Sequence, residues 1–192
     1  MKFIHNCSWQ EVFASWQQAE ESSSAWQRFA ADKGWKDWSS WRGASADLLC
    51  LPEKSWHQYS IENPLQEIPQ FLLGPFFGWQ KRTPRENTYS FQDLAAIPSE
   101  KKHFSLHKGV VSIIEGLPFP ISFIGLLDEK TGSIICVEGH HRAMAITLVA
   151  LSGQRLDFSQ TPILLYLATL PKHEHYLLEE HLYRSKQLNA EK

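Results

Sequence analysis

The sequence predicts a mixed α/β (α+β) fold: a small mixed sheet with helices, preceded by an N-terminal helical extension rich in tryptophan. Three observations carry this reading. Apolar runs with strand character recur at ISFIGLL, IICVE and ILLYLA, all after position 120. Helical periodicity dominates the early chain, where Trp9, Val12, Phe13 and Trp16 follow the i, i+3, i+4, i+7 spacing. Seven of the eight tryptophans also fall at or before position 56, which sets that segment apart from the rest.

Taken in order, residues 8–31 read as helix. Ser8 with Glu11 has the capping-box spacing. Ser22, Ser23 and Ser24 weaken its middle and are a place for it to split, and Gly34 is a stop. Trp35, Trp38 and Trp41 recur every third residue and share one side of a helical turn. Two readings follow: an aromatic platform for a base or sugar, or rings covering a core, which stripes at helical spacing favour. Residues 50–87 are interrupted by five prolines and by Gly74 and Gly78, and no long element is expected there. The basic stretch with Lys81, Arg82 and Arg85 reads either as a solvated loop or as a lid over a binding site.

From Tyr89 the pattern becomes regular. Tyr89 to Ile97 suits a short strand or a helical turn before Pro98. A helix is then expected from Ser99, with Phe104, His107, Val110, Val111 and Ile114 on one face and Gly116 closing it. ISFIGLL and IICVE flank Asp128-Glu129-Lys130-Thr131-Gly132, an antiparallel hairpin. The helix after Gly139 is apolar nearly all round, so it should be buried, between the sheet and the Trp-rich segment. ILLYLA follows as an interior strand, and Lys172 to Lys192 is a polar, helix-prone tail. The expected organisation is therefore an extension over 1–87, a core domain over 88–170 and a helical tail over 171–192.

Composition narrows the function. At 192 residues and 43% hydrophobic content the chain can bury one sizeable core. No apolar run approaches a bilayer-spanning length, and no signal peptide is evident at MKFIHNC. Cys7, Cys50 and Cys136 are odd in number and lack C-x-x-C spacing, which fits a reduced, cytoplasmic protein. A formal net charge of −2 disfavours a general nucleic-acid binder. The partner expected is a small anionic ligand or nucleotide, with no membrane; the sequence gives no oligomeric state.

The chemistry concentrates in SIICVEGHHRAMAITLVALSG, residues 133–153. A strand ends at Glu138, and Gly139, His140, His141 and Arg142 open a helix. Unpaired N–H groups and the positive helix end gather there, and Arg142 adds a forked cation, which suits a phosphate or another oxyanion. Glu100 either serves as a base or only favours a helix start, and His103 and His107, four apart, either join a site or bind a metal, with a core role for His107 as the alternative.

VEGHHRAMAI resembles the D-G-H-H-R-x-x-A stretch of the ParB-like and sulfiredoxin-like superfamily, which includes free serine kinases. The likeness extends from about residue 88, through Gly116 and Pro118 to Ile121, as far as Ala168, less than half the chain. The resemblance implies a ParB/sulfiredoxin-like fold and a nucleotide- or phosphate-binding turn at Gly139, His140, His141 and Arg142. It implies ATP or ADP with Mg²⁺, held in part by Glu138, where the superfamily often has aspartate. It also implies a phosphotransferase acting on a small hydroxyl compound, with Glu100 as a catalytic candidate in Pro98-Ser99-Glu100; His103, by its spacing on the same helix, is the second candidate. The alternatives are a DNA-associated, nuclease-type module, against which the short C-terminal remainder argues, or a non-catalytic interaction protein retaining the pocket. Sulfiredoxin activity is disfavoured, because His140 stands where the nucleophilic cysteine would be.

Overall fold

The structure, a computed structural model, describes residues 1–20 and 23–190. Its centre is a mixed sheet of five strands: β1 (Lys2–Cys7), β2 (Trp56–Ser60), β3 (Ile121–Asp128), β4 (Ile134–Glu138) and β5 (Ile163–Leu170). The spatial order is β1-β2-β5-β3-β4. β3 and β5 run parallel, with Ile124 opposite Tyr166, and every other neighbouring pair is antiparallel. The expected hairpin is present, with Asp128 accepting from the Lys130 N–H and the Thr131 hydroxyl to fix its turn. β1 and β2 were not legible: β1 is exposed along nearly its whole length and so lacks the alternation that marks a half-buried strand.

Alternate residues along the strands feed two separate cores. Ile134 and Cys136 of β4, with Phe123 and Leu165, face one layer; Ile135 and Val137, with Ile124 and Ala168, face the other. The first layer holds α4 (Pro64–Glu67), α6 (Phe91–Ala96), α7 (Pro98–Leu106), α8 (Lys108–Gly116) and α9 (His140–Ser152). The second holds α1 (Trp9–Glu20), α3 (Trp38–Asp47) and α10 (Tyr176–Ala190). α2 (Ser24–Asp32) packs on α3 in the second layer, Trp26 against Trp41, and α5 (Phe77–Gln80) sets Trp79 against the first.

Two expectations are corrected here. α9 is buried as its composition requires, but it does not lie between the sheet and the Trp-rich segment; the two cover opposite faces. Residues 61–117, whose first part gave little pattern, supply the cover for α9 instead. The single helix expected from Ser99 to Gly116 is two. His107 is extended (φ −71°, ψ 114°), and its Nδ1 accepts from the Val110 N–H at 3.4 Å, capping α8.

The N-terminal segment follows the sequence more closely. Ser8 and Glu11 form the capping box, and α1 and α2 are separate helices. Ser23 is extended between them (φ −73°, ψ 110°). Ser22, the first of the three serines at the expected split, lies outside the described residues, as do Glu191 and Lys192 of the tail. Trp16, Trp38 and Trp56 are buried, so the core reading of the tryptophans holds for them.

Candidate anion site at the start of α9

Gly139 ends β4 with φ +104°, a left-handed conformation that favours glycine. A Cβ there would also stand 2.4 Å from Phe123 Cδ1. The room that glycine leaves is therefore filled by the Phe123 ring. Beyond Gly139, α9 begins with no side-chain cap, so the N–H groups of its first turn carry no capping bond.

The two imidazoles diverge. His140 turns into the core beside Phe76, Trp79 and Phe91. The Gly74 N–H donates to its Nε2 at 3.1 Å, which leaves the proton on Nδ1. Nδ1 lies 3.8 Å from Cys136 Sγ, whose S–H donates in turn to the Glu138 carbonyl at 3.2 Å. Burial first, then the charges of His141, Arg42 and Arg142, hold the His140 pKa down to about 3. Its ring is committed to protein partners on both nitrogens, and what it offers a ligand is its backbone N–H.

His141 faces the other way. Its ring stacks on His107 at 4.9 Å and 14°, and its edge meets Trp79 at 5.2 Å. Burial, then His107, Arg142 and Arg82, lower its pKa to about 4. Burial, then His103 and Arg82, lower that of His107. Both imidazoles are thus surrounded by cationic groups whose repulsion a bound anion would relieve.

The remaining expected residues gather around this stack. The His103 ring is 5.9 Å from His107, exposed on α7. Arg82 Nη1 donates to Glu100 at 2.8 Å, and its guanidinium carbon lies 5.1 Å over the Phe104 ring. Of the three basic residues in the lid reading, Arg82 reaches the site, while Lys81 lies over Phe77. Arg142 Nη2 donates to both carboxylate oxygens of Glu138. Glu138 is buried, and desolvation, opposed by Arg142, raises its pKa to about 7.

The donor set at Glu138 does not fit Mg²⁺. That ion needs an available carboxylate, and both oxygens here face Arg142. Among the described residues no group of three or more His, Cys, Asp or Glu is placed to hold a metal. The metal role expected for Glu138, and for the His103–His107 pair, is accordingly not carried further.

Sequence reasoning missed Gly74, Trp79 and Gln80. Gln80 is fully buried; its Nε2 donates to the Leu73 and Gly74 carbonyls at 3.0 and 2.7 Å, and its Oε1 accepts from the Asn87 N–H at 2.8 Å. These bonds tie the 73–87 loop to itself, and the Gly74 N–H bond to His140 holds it against α9. A Cβ on Gly74 would stand 2.1 Å from the Cys136 carbonyl oxygen, so the loop touches β4 backbone to backbone. The hint in the sequence is a polar Gln at the end of an apolar, glycine-containing run.

Compared with protein-family models, curated proteins and solved structures, the chain matches none of them.

Proposed function

We propose that this chain binds a phosphate-bearing small molecule, a nucleotide being the ligand class, at the start of α9. The observation that supports this reading most strongly is the His107–His141 stack, flanked by Arg82 and Arg142, beside an uncapped helix N-terminus. Glu100 and Glu138 balance the two guanidiniums, which leaves the first-turn N–H groups of α9 and the free guanidinium nitrogens as donors for an oxyanion. Glu100, held by Arg82, is the carboxylate on this face able to take a proton from a hydroxyl. Phosphoryl transfer to a small hydroxyl compound is the reaction proposed for the site, with His103 at its exposed rim.

Thermal unfolding with ATP, ADP, CTP and inorganic phosphate, with and without Mg²⁺, tests the reading. A ligand at a hundred times its Kd should add about 2.7 kcal/mol, roughly 5–10 °C in Tm for a chain of this size. The Glu138→Gln/Arg142→Met double variant removes the cation without leaving a buried charge unpaired, and it should lose the shift. No shift with any of these ligands would contradict the proposal.

A further inference from the structure

Arg142 is engaged before any ligand arrives. It is the third residue of α9, and helical side chains lean toward the N-terminus, which brings its guanidinium back to the end of β4. There Nη2 donates to both oxygens of Glu138, four residues earlier. The Gly139 N–H lies beside the same carboxylate and favours its charged form. Glu138 therefore already uses one guanidinium nitrogen at the very helix end where an external oxyanion would be received. The other guanidinium nitrogens, Nε and Nη1, have no hydrogen-bond partner among the described residues, and the side chain keeps 17% of its surface exposed. A route from Glu138 to an outside anion is thus open to this cation.

Charged groups face Glu138 from several elements: Arg142 of α9, Glu20 of α1 and Arg42 of α3, with the Cys136 thiol two residues back on its own strand. Glu20 and Arg42 are bound to each other by two hydrogen bonds of 2.7 Å, so Arg42 is not available to replace Arg142.

We propose that Glu138 is an internal counterion that holds Arg142 at the start of α9 until an anionic ligand displaces it. The inference rests on the anion-binding reading above. When Arg142 turns to the ligand, Glu138 is left buried with its carboxylate unpaired, a state that a proton from solvent relieves. Ligand uptake is then an exchange: the guanidinium passes from carboxylate to ligand, and one proton passes from water to Glu138. Burial already favours the neutral acid there.

Sulfate is the probe of choice, because its charge is constant across the neutral range. Calorimetric titration of the full chain at about pH 8, in two buffers of different ionisation enthalpy, reads affinity and proton uptake together. The wild type should bind sulfate with net uptake of about one proton, taken up at Glu138. Glu138→Gln should bind about tenfold more tightly and take up about one proton fewer. If neither protein binds sulfate, the anion site itself is wrong. If both bind with equal affinity and equal uptake, the site stands and the counterion role falls. Should Glu138→Gln fail to fold, the infrared difference spectrum of the wild type decides: a protonated-carboxyl band appearing with sulfate supports the exchange, and its absence overturns it.

Discussion

Two glutamate–arginine pairs of similar burial lie close enough for their charges to act on each other, and they differ in what surrounds them. Arg42 meets Glu20 through two nitrogens, and its guanidinium carbon lies 3.9, 5.0 and 5.3 Å from the Trp41, Trp16 and Trp26 rings. Trp38 Nε1 adds a 3.0 Å bond to the same carboxylate. Arg142 meets Glu138 through one nitrogen, at a helix end with no cap. One pair is enclosed by indoles and has no other partner to find; the other faces a surface of imidazoles and a second guanidinium. The same two side-chain types make a lock in one setting and, in the proposal above, a receptor in the other, and packing makes the difference.

The largest expected effect breaks the lock. Arg42→Ala strands the Glu20 carboxylate in the aromatic cage and should cost about 3–5 kcal/mol in urea unfolding. Replacing both partners by apolar residues should recover most of that loss. A smaller, more telling contrast lies in the neighbouring histidines. His140→Ala removes a core ring and the acceptor of the Gly74 N–H, so about 2–4 kcal/mol of stability should go, with sulfate affinity little changed. His141→Ala should cost under about 1 kcal/mol in stability yet weaken sulfate binding about tenfold.

Acid sharpens the same contrast. The pKa values of His140 and His141, about 3 and 4 against an ordinary 6.5, mean that their contribution is fully present above 6.5 and is lost as pH falls toward those values. Glu138 runs the other way: its pKa, raised from 4.5 to about 7, makes its contribution complete below 4.5 and lost as pH rises through 7. Between 4.5 and 6.5 two imidazoles oppose one carboxylate, so Tm should fall on acidification. His141→Gln should flatten part of that slope. The smallest effect calibrates the rest: Arg184→Ala removes an exposed partner of Glu180 and should change stability by less than about 0.5 kcal/mol.

How far the sequence could be read follows the same physics. The hairpin, α9 and β5 were legible because long apolar runs bounded by turn residues leave few alternatives. Gly139, His141 and Arg142 were legible as a cluster because so many polar groups between buried elements need a shared reason. That His140 would serve the core was not legible, since its partner is the Gly74 N–H, 66 residues away. β1 escaped because an exposed edge strand carries no burial pattern, and β2, an inner strand of mostly polar, half-buried residues, because what defines it is pairing with β1 and β5. The break at His107 escaped because its imidazole does at a helix start what Ser or Asp more often does.

The central claim is that an anion is received at the first turn of α9. Backbone amide NMR of the full chain titrated with inorganic phosphate tests it most directly. The His140, His141 and Arg142 amides should shift together and saturate at one common dissociation constant, with the His107 ring responding in step. Unmoved amides at those three residues, or saturable shifts confined to the groove between Asn87 and Tyr183, would contradict it.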